Sequence, residues 1–365
     1  MKEQVLITTG IYPPDEGGPA TYVPKLAEFL NNSGYKVLII TLGEKNRKFI
    51  ENGTEVTSIS RKIPKIIRFC LSVVIIRQQS KNVNAIFSNG LYEETYLSGI
   101  LRKKPSVCKL VGDPIWERYR NSNNSKITIE KFQDLNLPVS LKLQRILLKR
   151  AVSQFTKVTT PGSHLKQITE CWSGRSDVIF IANGARCQNP ISIRKEWNLI
   201  TVSRLVSWKN LDFVIDSLSG SNLRIAIIGS GPELNKLAEM AKSSNCGIDF
   251  LGHIPENKVE QYLSRAQVFI QMSEYEGMSF SLLQAMMNGM CIVTSKARGN
   301  ADLISNEYNG LTIDVESKEN FASLINELLS DPERMSRYGN NALQTAREKY
   351  CEENQLTKMQ LLLGL

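Results

Sequence analysis

With 365 residues, 42% of them hydrophobic and 22% charged, the chain exceeds the length at which one hydrophobic core usually keeps growing, so two domains of roughly 150 to 200 residues are expected. Seven cysteines at positions 70, 108, 171, 187, 246, 291 and 351, without a Cys-x-x-Cys pair, argue against a disulfide framework and a zinc site and read as buried free thiols. Residues 1–185 hold 27 Lys and Arg against 15 Asp and Glu, net +12, whereas residues 186–365 hold 18 against 21, net −3; charge alone suits such a basic half equally to nucleic acid, an anionic membrane surface or a phosphorylated substrate, and no helix-turn-helix, finger or RNA-binding signature accompanies it.

Met1-Lys2-Glu3-Gln4 runs directly into a strand pattern without the apolar region and cleavage site of a secretory signal, which predicts a cytoplasmic protein. The first strand, Val5 to Thr9, ends in a Gly/Pro-rich loop, Gly10 to Pro19. A helix follows with Val23, Leu26, Ala27 and Leu30 on one face, Gly34 stands at its C-cap, and Lys36 to Thr41 is the next strand. The longest apolar stretch, Ile66 to Ile76, is interrupted by Arg68 and falls far short of the about 20 residues that cross a bilayer. Strands at Ala85 to Ser88, Ser106 to Val111 and Lys157 to Thr160, separated by helical stretches, complete a parallel α/β sheet.

The pattern restarts in the second half. Strands at Ile200 to Ser203, Leu223 to Ile228, Ile248 to Leu251, Val268 to Gln271 and Cys291 to Thr294 alternate with helices at about Asn210 to Leu218, Pro232 to Lys242, Lys258 to Ser264 and Ser281 to Asn288. The boundary is expected near 185–198, around Asn189-Pro190. Two open α/β sheets in series predict a ligand crevice facing the carboxyl ends of the strands. A last helical segment is expected over Arg347 to Leu363.

Four features carry chemistry, each at a strand end or helix start. Gly17-Gly18 leaves backbone amides free to approach an anion or a sugar, and the helix that follows adds partial positive charge. Arg204 and Lys209 follow a buried strand, where a guanidinium and an ammonium suit a diphosphate whose charge rises as it departs; taken singly they are solvated surface cations. Gly229-Ser230-Gly231-Pro232-Glu233 resembles half of a dinucleotide fingerprint, but Leu234 replaces the third glycine, so a plain strand-to-helix turn is the better reading.

The fourth feature, Ser273 to Met286, is the most specific. A strand feeds an acidic loop, and a helix starting near Ser281 offers unpaired backbone amides. Glu276 in the loop and Gln284 in the helix both present acceptors to sugar hydroxyls; the structural alternative makes them a capping acid and a surface amide. No Asp-x-Asp pair follows a strand, so no carboxylate seat for a divalent metal is expected, and cations and helix termini are left to supply the electrostatics.

In their order, Gly17-Gly18, the Arg204 and Lys209 pair, Gly252-His253-Ile254, the segment from Glu276 to Gln284, and Gly299-x-x-Asp302-Leu303-Ile304 with Asn309-Gly310-Leu311 resemble family 4 glycosyltransferases, over about residues 5 to 355. The resemblance implies an α/β fold of the GT-B type, the glycosyl transferase group 1 architecture, with two Rossmann-like domains facing each other across a cleft. Residues 1–187 would be the acceptor-binding domain, 188–345 the nucleotide-sugar-binding domain, and 346–365 a C-terminal helix returning to the first domain. It implies a retaining enzyme that moves a hexosyl unit from a nucleoside diphosphate sugar to a hydroxyl of a glycan or lipid-linked acceptor in cell-surface polysaccharide or glycolipid synthesis, without metal or other cofactor.

By the same likeness Arg204 and Lys209 grip the diphosphate, Glu276 contacts the transferred sugar, Gln284 holds the ribose and residues around Ile254 meet the base. Met278, Ser279 and Phe280 complete the donor-binding loop alongside Gly17 and Gly18. The acceptor hydroxyl then attacks from the leaving group's own face, and a donor phosphate oxygen takes the proton. Two positions depart from the family. Gln284 stands where a glutamate is usual and offers a weaker, uncharged bond, which predicts lower donor affinity with the chemistry intact. Many relatives place a histidine near the sugar, where this chain has Val111-Gly112-Asp113-Pro114-Ile115-Trp116-Glu117; Asp113 is the substitute candidate for orienting the sugar, its alternative being a turn-initiating Asp-Pro.

Arg61 to Leu71 and Ser140 to Arg150 both mix cations with bulky apolar groups, as segments that lie on an anionic membrane do, with about 1 kcal/mol of attraction per cation near the lipid. For the first segment a membrane face and a core face fit equally. In the second, Leu143, Ile146, Leu147 and Arg150 recur at helical spacing, which predicts that this side faces the core. With the basic half they lead to the expectation of a lipid-linked or anionic acceptor met at the inner face of the cell membrane. Two other readings stand beside transfer. A sugar-nucleotide epimerase of the same architecture needs acid/base side chains that a chain with two histidines is short of. A non-catalytic donor-binding partner subunit is motivated by Gln284 and the missing histidine.

Overall fold

The structure is a computed structural model that describes residues 3–123, 127–187, 189–190, 193–315 and 318–365. It divides into two units, Met1–Ala182 with Gln355–Leu365, and Asn183–Asn354.

The strands of the first unit are β1 Gln4–Thr9, β2 Lys36–Gly43, β3 Arg47–Glu51, β4 Thr54–Ser60, β5 Ala85–Asn89, β6 Ser106–Lys109, β7 Lys157–Thr160 and β8 Ile179–Phe180. They form one sheet in the order β3-β4-β2-β1-β5-β6-β7-β8. All neighbours run parallel except β3 against β4. Its central strands are covered on both faces, so they are apolar runs and do not alternate: Val5, Leu6, Ile7, Ile39, Ile40, Phe87 and Val107 are fully buried. Helix Gly18–Asn32 buries Val23, Leu26, Ala27 and Leu30, as their spacing predicts. The β3–β4 hairpin lies outside the strands read from sequence. Its signal is Asn52-Gly53, both at positive φ (47° and 78°), the pair that a tight two-residue hairpin turn demands.

Helix Val139–Gln154 corrects the expected core face. It buries Leu148, Ala151 and Val152, whereas Leu143 is 62% and Ile146 49% exposed and Arg150 is exposed. Two stripes of this helix are apolar. The helices Tyr92–Leu97 and Ser163–Ser173 pack against the one that continues into buried Phe155, and that choice lies in the neighbours, not in the local spacing. Helix Lys65–Gln79 behaves similarly: Ser72 and Ile76 are buried, while Ile66 is 80% and Ile67 60% exposed. No helix among the described residues is long and apolar enough to cross a membrane.

The second unit holds β9 Trp197–Val202, β10 Arg224–Ile228, β11 Gly247–Gly252, β12 Ala266–Gln271, β13 Cys291–Ser295 and β14 Leu311–Ile313. All are parallel, in the order β11-β10-β9-β12-β13-β14. Strand succession reverses direction between β9 and β12, the kind of switch point at whose strand carboxyl ends open α/β sheets bind ligands. One side of the sheet is sealed by Leu199, Ile225, Ile227, Val268, Ile270 and Val293, packed with Phe213 and Phe321, whose ring centroids are 5.3 Å apart.

The expected helix over Arg347 to Leu363 is two helices, Pro332–Lys349 and Glu352–Leu362. The break at Tyr350-Cys351 has a backbone cause. Ala185 N–H donates to the Tyr350 carbonyl (3.0 Å) and Glu352 N–H to the Ala185 carbonyl (2.9 Å), which pulls the chain into an extended bridge. Gly184 permits that crossing, because a Cβ there would lie 2.5 Å from Glu352 Cα.

Candidate active site

The loops that leave β9 and β12 meet at the switch point of the second sheet. After β9 the backbone makes a 3-10 turn over Ser207–Lys209 and enters the left-handed region at Asn210, whose side-chain amide donates to the Met272 carbonyl at 3.0 Å. The Glu274 N–H donates to the Trp208 carbonyl at 2.9 Å, a second tie between the two loops. These ties bring the Lys209 ammonium onto Glu276 Oε1, in an ion pair whose side chains are only 13% and 11% exposed. Ser273 Oγ donates to the same oxygen at 2.7 Å. Glu276 Oε2 has no partner among the described residues and is left to accept from elsewhere. Arg204 lies exposed at the start of the β9 loop, its guanidinium 6.0 Å from the Trp208 ring centroid, with no ion pair among the described residues.

The Glu276 loop is rigidly held from behind. A buried chain of hydrogen bonds runs from Ser279 Oγ to Gln271 Oε1 (2.7 Å), from Gln271 Nε2 to Asn300 Oδ1 (3.0 Å), and from Asn300 Nδ2 to Thr294 Oγ1 (2.7 Å). Ser279 also caps helix Phe280–Met287, accepting from the Leu282 N–H. Asn183 grips Met278 twice, its N–H meeting Sδ at 3.2 Å and its Nδ2 the carbonyl at 3.0 Å. Gly299 is required by contact, since a Cβ there would lie 1.8 Å from the Glu276 carbonyl oxygen. Ser273, Asn183, Gln271 and Asn300 were not singled out by the sequence reading. Each is an ordinary polar residue with no charge to set it apart in the sequence, and only its burial in the folded unit marks it.

Gln284 sits half-buried on the helix after the loop, its Nε2 donating to Glu256 Oε1 at 3.4 Å. Ile254, half-buried, leaves β11 two residues before Glu256. The paired glycines Gly229 and Gly231 have a packing reason: a Cβ would lie 1.8 Å from the Ser203 carbonyl oxygen at the first and 2.3 Å from that of Leu205 at the second. They let the β10 loop lie flat on the β9 loop that carries Arg204, with Leu205 N–H donating to the Ser230 carbonyl at 2.8 Å.

In the first unit, Gly17-Gly18 starts helix Gly18–Asn32 at the corresponding reversal of strand order, and among the described residues no side chain caps that helix. Arg61 pins the loop, donating to Asp15 Oδ1 (3.0 Å) and to the Gly10 carbonyl (2.9 Å). Asp113 is fully buried. Its Oδ1 accepts from the Ile115 and Trp116 N–H groups (3.0 and 3.2 Å), and its Oδ2 from Gln133 Nε2 (3.1 Å) and Arg145 Nη2 (2.8 Å). Four donors fill a carboxylate's ordinary capacity, so Asp113 acts here as a helix cap and ion-pair partner. Four residues earlier Lys109 is also fully buried; its Nζ lies 3.6 Å from the centroid of the Tyr22 ring, and burial lowers its pKa to about 7. Among the described residues no group of three or more His, Cys, Asp or Glu side chains is placed to hold a metal ion.

Residues 188–345 match the family described as Glycosyl transferases group 1. An uncharacterized glycosyltransferase of Methanocaldococcus jannaschii is 20% identical over 349 residues, 94% of this chain and 93% of that protein. Of several other curated relatives the chain spans less than half the length. Among solved structures, sucrose-phosphate synthase from Thermosynechococcus elongatus superposes with a TM-score of 0.81 at 15% identity, over 99% of this chain and 98% of that one. Anabaena HepE in complex with UDP and glucose superposes with a TM-score of 0.77, also at 15% identity, over 99% of each chain. At such identity the likeness establishes a common fold, the two-domain GT-B arrangement of parallel α/β sheets.

Proposed function

We propose, from the premise that this chain is a glycosyltransferase whose residues 188–345 form a glycosyl transferases group 1 domain, that it is a retaining, family 4 enzyme moving a hexosyl unit from a nucleoside diphosphate sugar to a hydroxyl of a glycan or lipid-linked acceptor. The observation that carries this reading is the Lys209–Glu276 pair at the switch point of the second sheet. It holds an ammonium ready for a diphosphate while leaving one carboxylate oxygen for sugar hydroxyls. Arg204, exposed five residues earlier and in no ion pair among the described residues, adds the second cation. HepE, of the same fold, has been captured with UDP and glucose, which supports a nucleoside diphosphate sugar as the donor.

In this mechanism Lys209 and Arg204 offset the charge that grows on the departing diphosphate, a task for preorganised cations that needs no metal held by the protein. Glu276 Oε2 orients the transferred sugar. Met278, Ser279 and Phe280, braced by Asn183 and the Gln271–Asn300 chain, present the start of helix Phe280–Met287 to the donor. Ile254 meets the base and Gln284 the ribose, while Gly17 and Gly18 offer the first unit's amides to an anionic or sugar group. The acceptor hydroxyl attacks the anomeric carbon on the face that the diphosphate leaves, and its proton passes to a donor phosphate oxygen. Asp113, with its acceptor sites filled, serves the reaction by fixing its loop.

The first unit would meet the acceptor at an anionic bilayer. Ile66, Ile67 and Val74 on one helix and Val139, Leu143 and Ile146 on another are exposed beside Lys62, Lys65, Lys142 and Lys149, and both helices pack against Tyr92–Leu97. Flotation with vesicles containing anionic phospholipid tests this part: the protein should rise with them and not with neutral vesicles, and equal partition would remove the membrane. The donor reading is tested by a thermal-shift panel of UDP, GDP and ADP sugars. One should raise the melting temperature of the wild type through ligand linkage, and Arg204→Ala should abolish that rise. A flat panel for the wild type would overturn the donor, and NMR of the product's anomeric centre decides retention.

A further inference from the structure

We infer that Glu256, paired with Gln284, supplies the anionic acceptor for the donor's ribose, so that two residues on neighbouring helices share a task the family resemblance gives to position 284 alone. The inference rests on the donor reading above. Glu256 opens helix Glu256–Leu263 after β11, Gln284 lies in helix Phe280–Met287 after β12, and the two helices touch. Gln284 Nε2 stands 3.4 Å from Glu256 Oε1.

A carboxylate only accepts, so the face of the Gln284 amide turned to Glu256 must be its NH2, which turns the Gln284 carbonyl oxygen the other way. The pair therefore offers one carbonyl oxygen and one carboxylate to two adjacent hydroxyls, each a donor. Glu256 follows Ile254, the residue assigned to the base, by two positions, so ribose hydroxyls beside that base come within reach of it. The same contact explains why glutamine is tolerated. A glutamate at 284 would set two carboxylates against each other at this distance, and like charges so close cannot both stay ionised without loss.

The pairing makes a prediction opposite to the one that follows from position 284 alone. Calorimetric titration uses whichever of UDP, GDP and ADP the wild type binds, together with its 2′,3′-dideoxy form. Glu256→Gln and Gln284→Glu should each weaken the ribonucleotide by about tenfold, the size expected for one charge-assisted bond. The exchange Glu256→Gln with Gln284→Glu should return affinity to within about threefold of the wild type, since it restores one amide and one carboxylate. The dideoxy form should bind all four proteins alike, which a merely structural role for the pair would not produce. Melting temperatures without nucleotide monitor folding of the variants. Tighter binding by Gln284→Glu, or unchanged binding by Glu256→Gln, would overturn the shared site and leave the donor reading standing. A wild type that binds none of the three diphosphates would overturn both.

Discussion

Asp113 in the first unit and Glu276 in the second are both carboxylates in loops that follow parallel strands, yet they are built for different work. Asp113 is fully buried and receives four donors, two from the backbone of the helix it caps and two from Gln133 and Arg145. Glu276 keeps 11% of its side chain accessible and spends a single oxygen, on Lys209 and Ser273. A carboxylate with every lone pair engaged stabilises a fold, whereas one with an oxygen to spare is available to a substrate. The difference lies in the number of donors each neighbourhood supplies, not in the residue type.

The largest expected effect tests the buried member. Asp113→Ala strands the Arg145 guanidinium and uncaps a helix, and should lower unfolding free energy in urea by about 3–5 kcal/mol. An unchanged denaturation curve with lost transfer activity would reverse the comparison and return Asp113 to the chemistry. Glu276→Gln should act the other way round. The turnover number falls about 10²- to 10³-fold, as for loss of one preorganised charge, with a smaller drop in stability than Asp113→Ala causes.

Lys109 sharpens the contrast at the smallest scale, as a buried amine at the end of the strand before Asp113 with no hydrogen-bond partner among the described residues. Burial lowers its pKa to about 7 from an ordinary 10.5, so between those values the unfolded chain binds more protons and wild-type stability rises with pH. Lys109→Met should therefore melt above the wild type at pH 6, with the gap closing as pH climbs through 7 toward 10. A pH-independent gap would mean that the ammonium is not desolvated as the structure places it.

Much of the architecture could be read along the chain because parallel strands buried on both faces are short apolar runs, and helices between them carry a 3.6-residue stripe. The β3–β4 hairpin escaped, although Asn52-Gly53 announces it, because its exposed strand lacks such a run. The core face of Val139–Gln154 was misread because two apolar stripes wind around one helix, and local periodicity cannot rank them. Within the site, Arg204, Lys209 and Glu276 stand out in sequence through charge beside apolar strands. Asn183 and Asn300 do not, because their partners Met278 and Gln271 are remote in the chain.

Composition and periodicity thus sufficed for two α/β units and for the loops that bear cations and acids, since hydrophobic burial acts through patterns only a few residues long. Whether a given acid is spent or available, whether glutamine at 284 is a loss or half of a pair, and why Gly299 admits no side chain were settled only once the chain had folded. Hydrogen bonds and steric contacts depend on atoms within about 3–4 Å, and in this fold those atoms come from segments tens of residues apart.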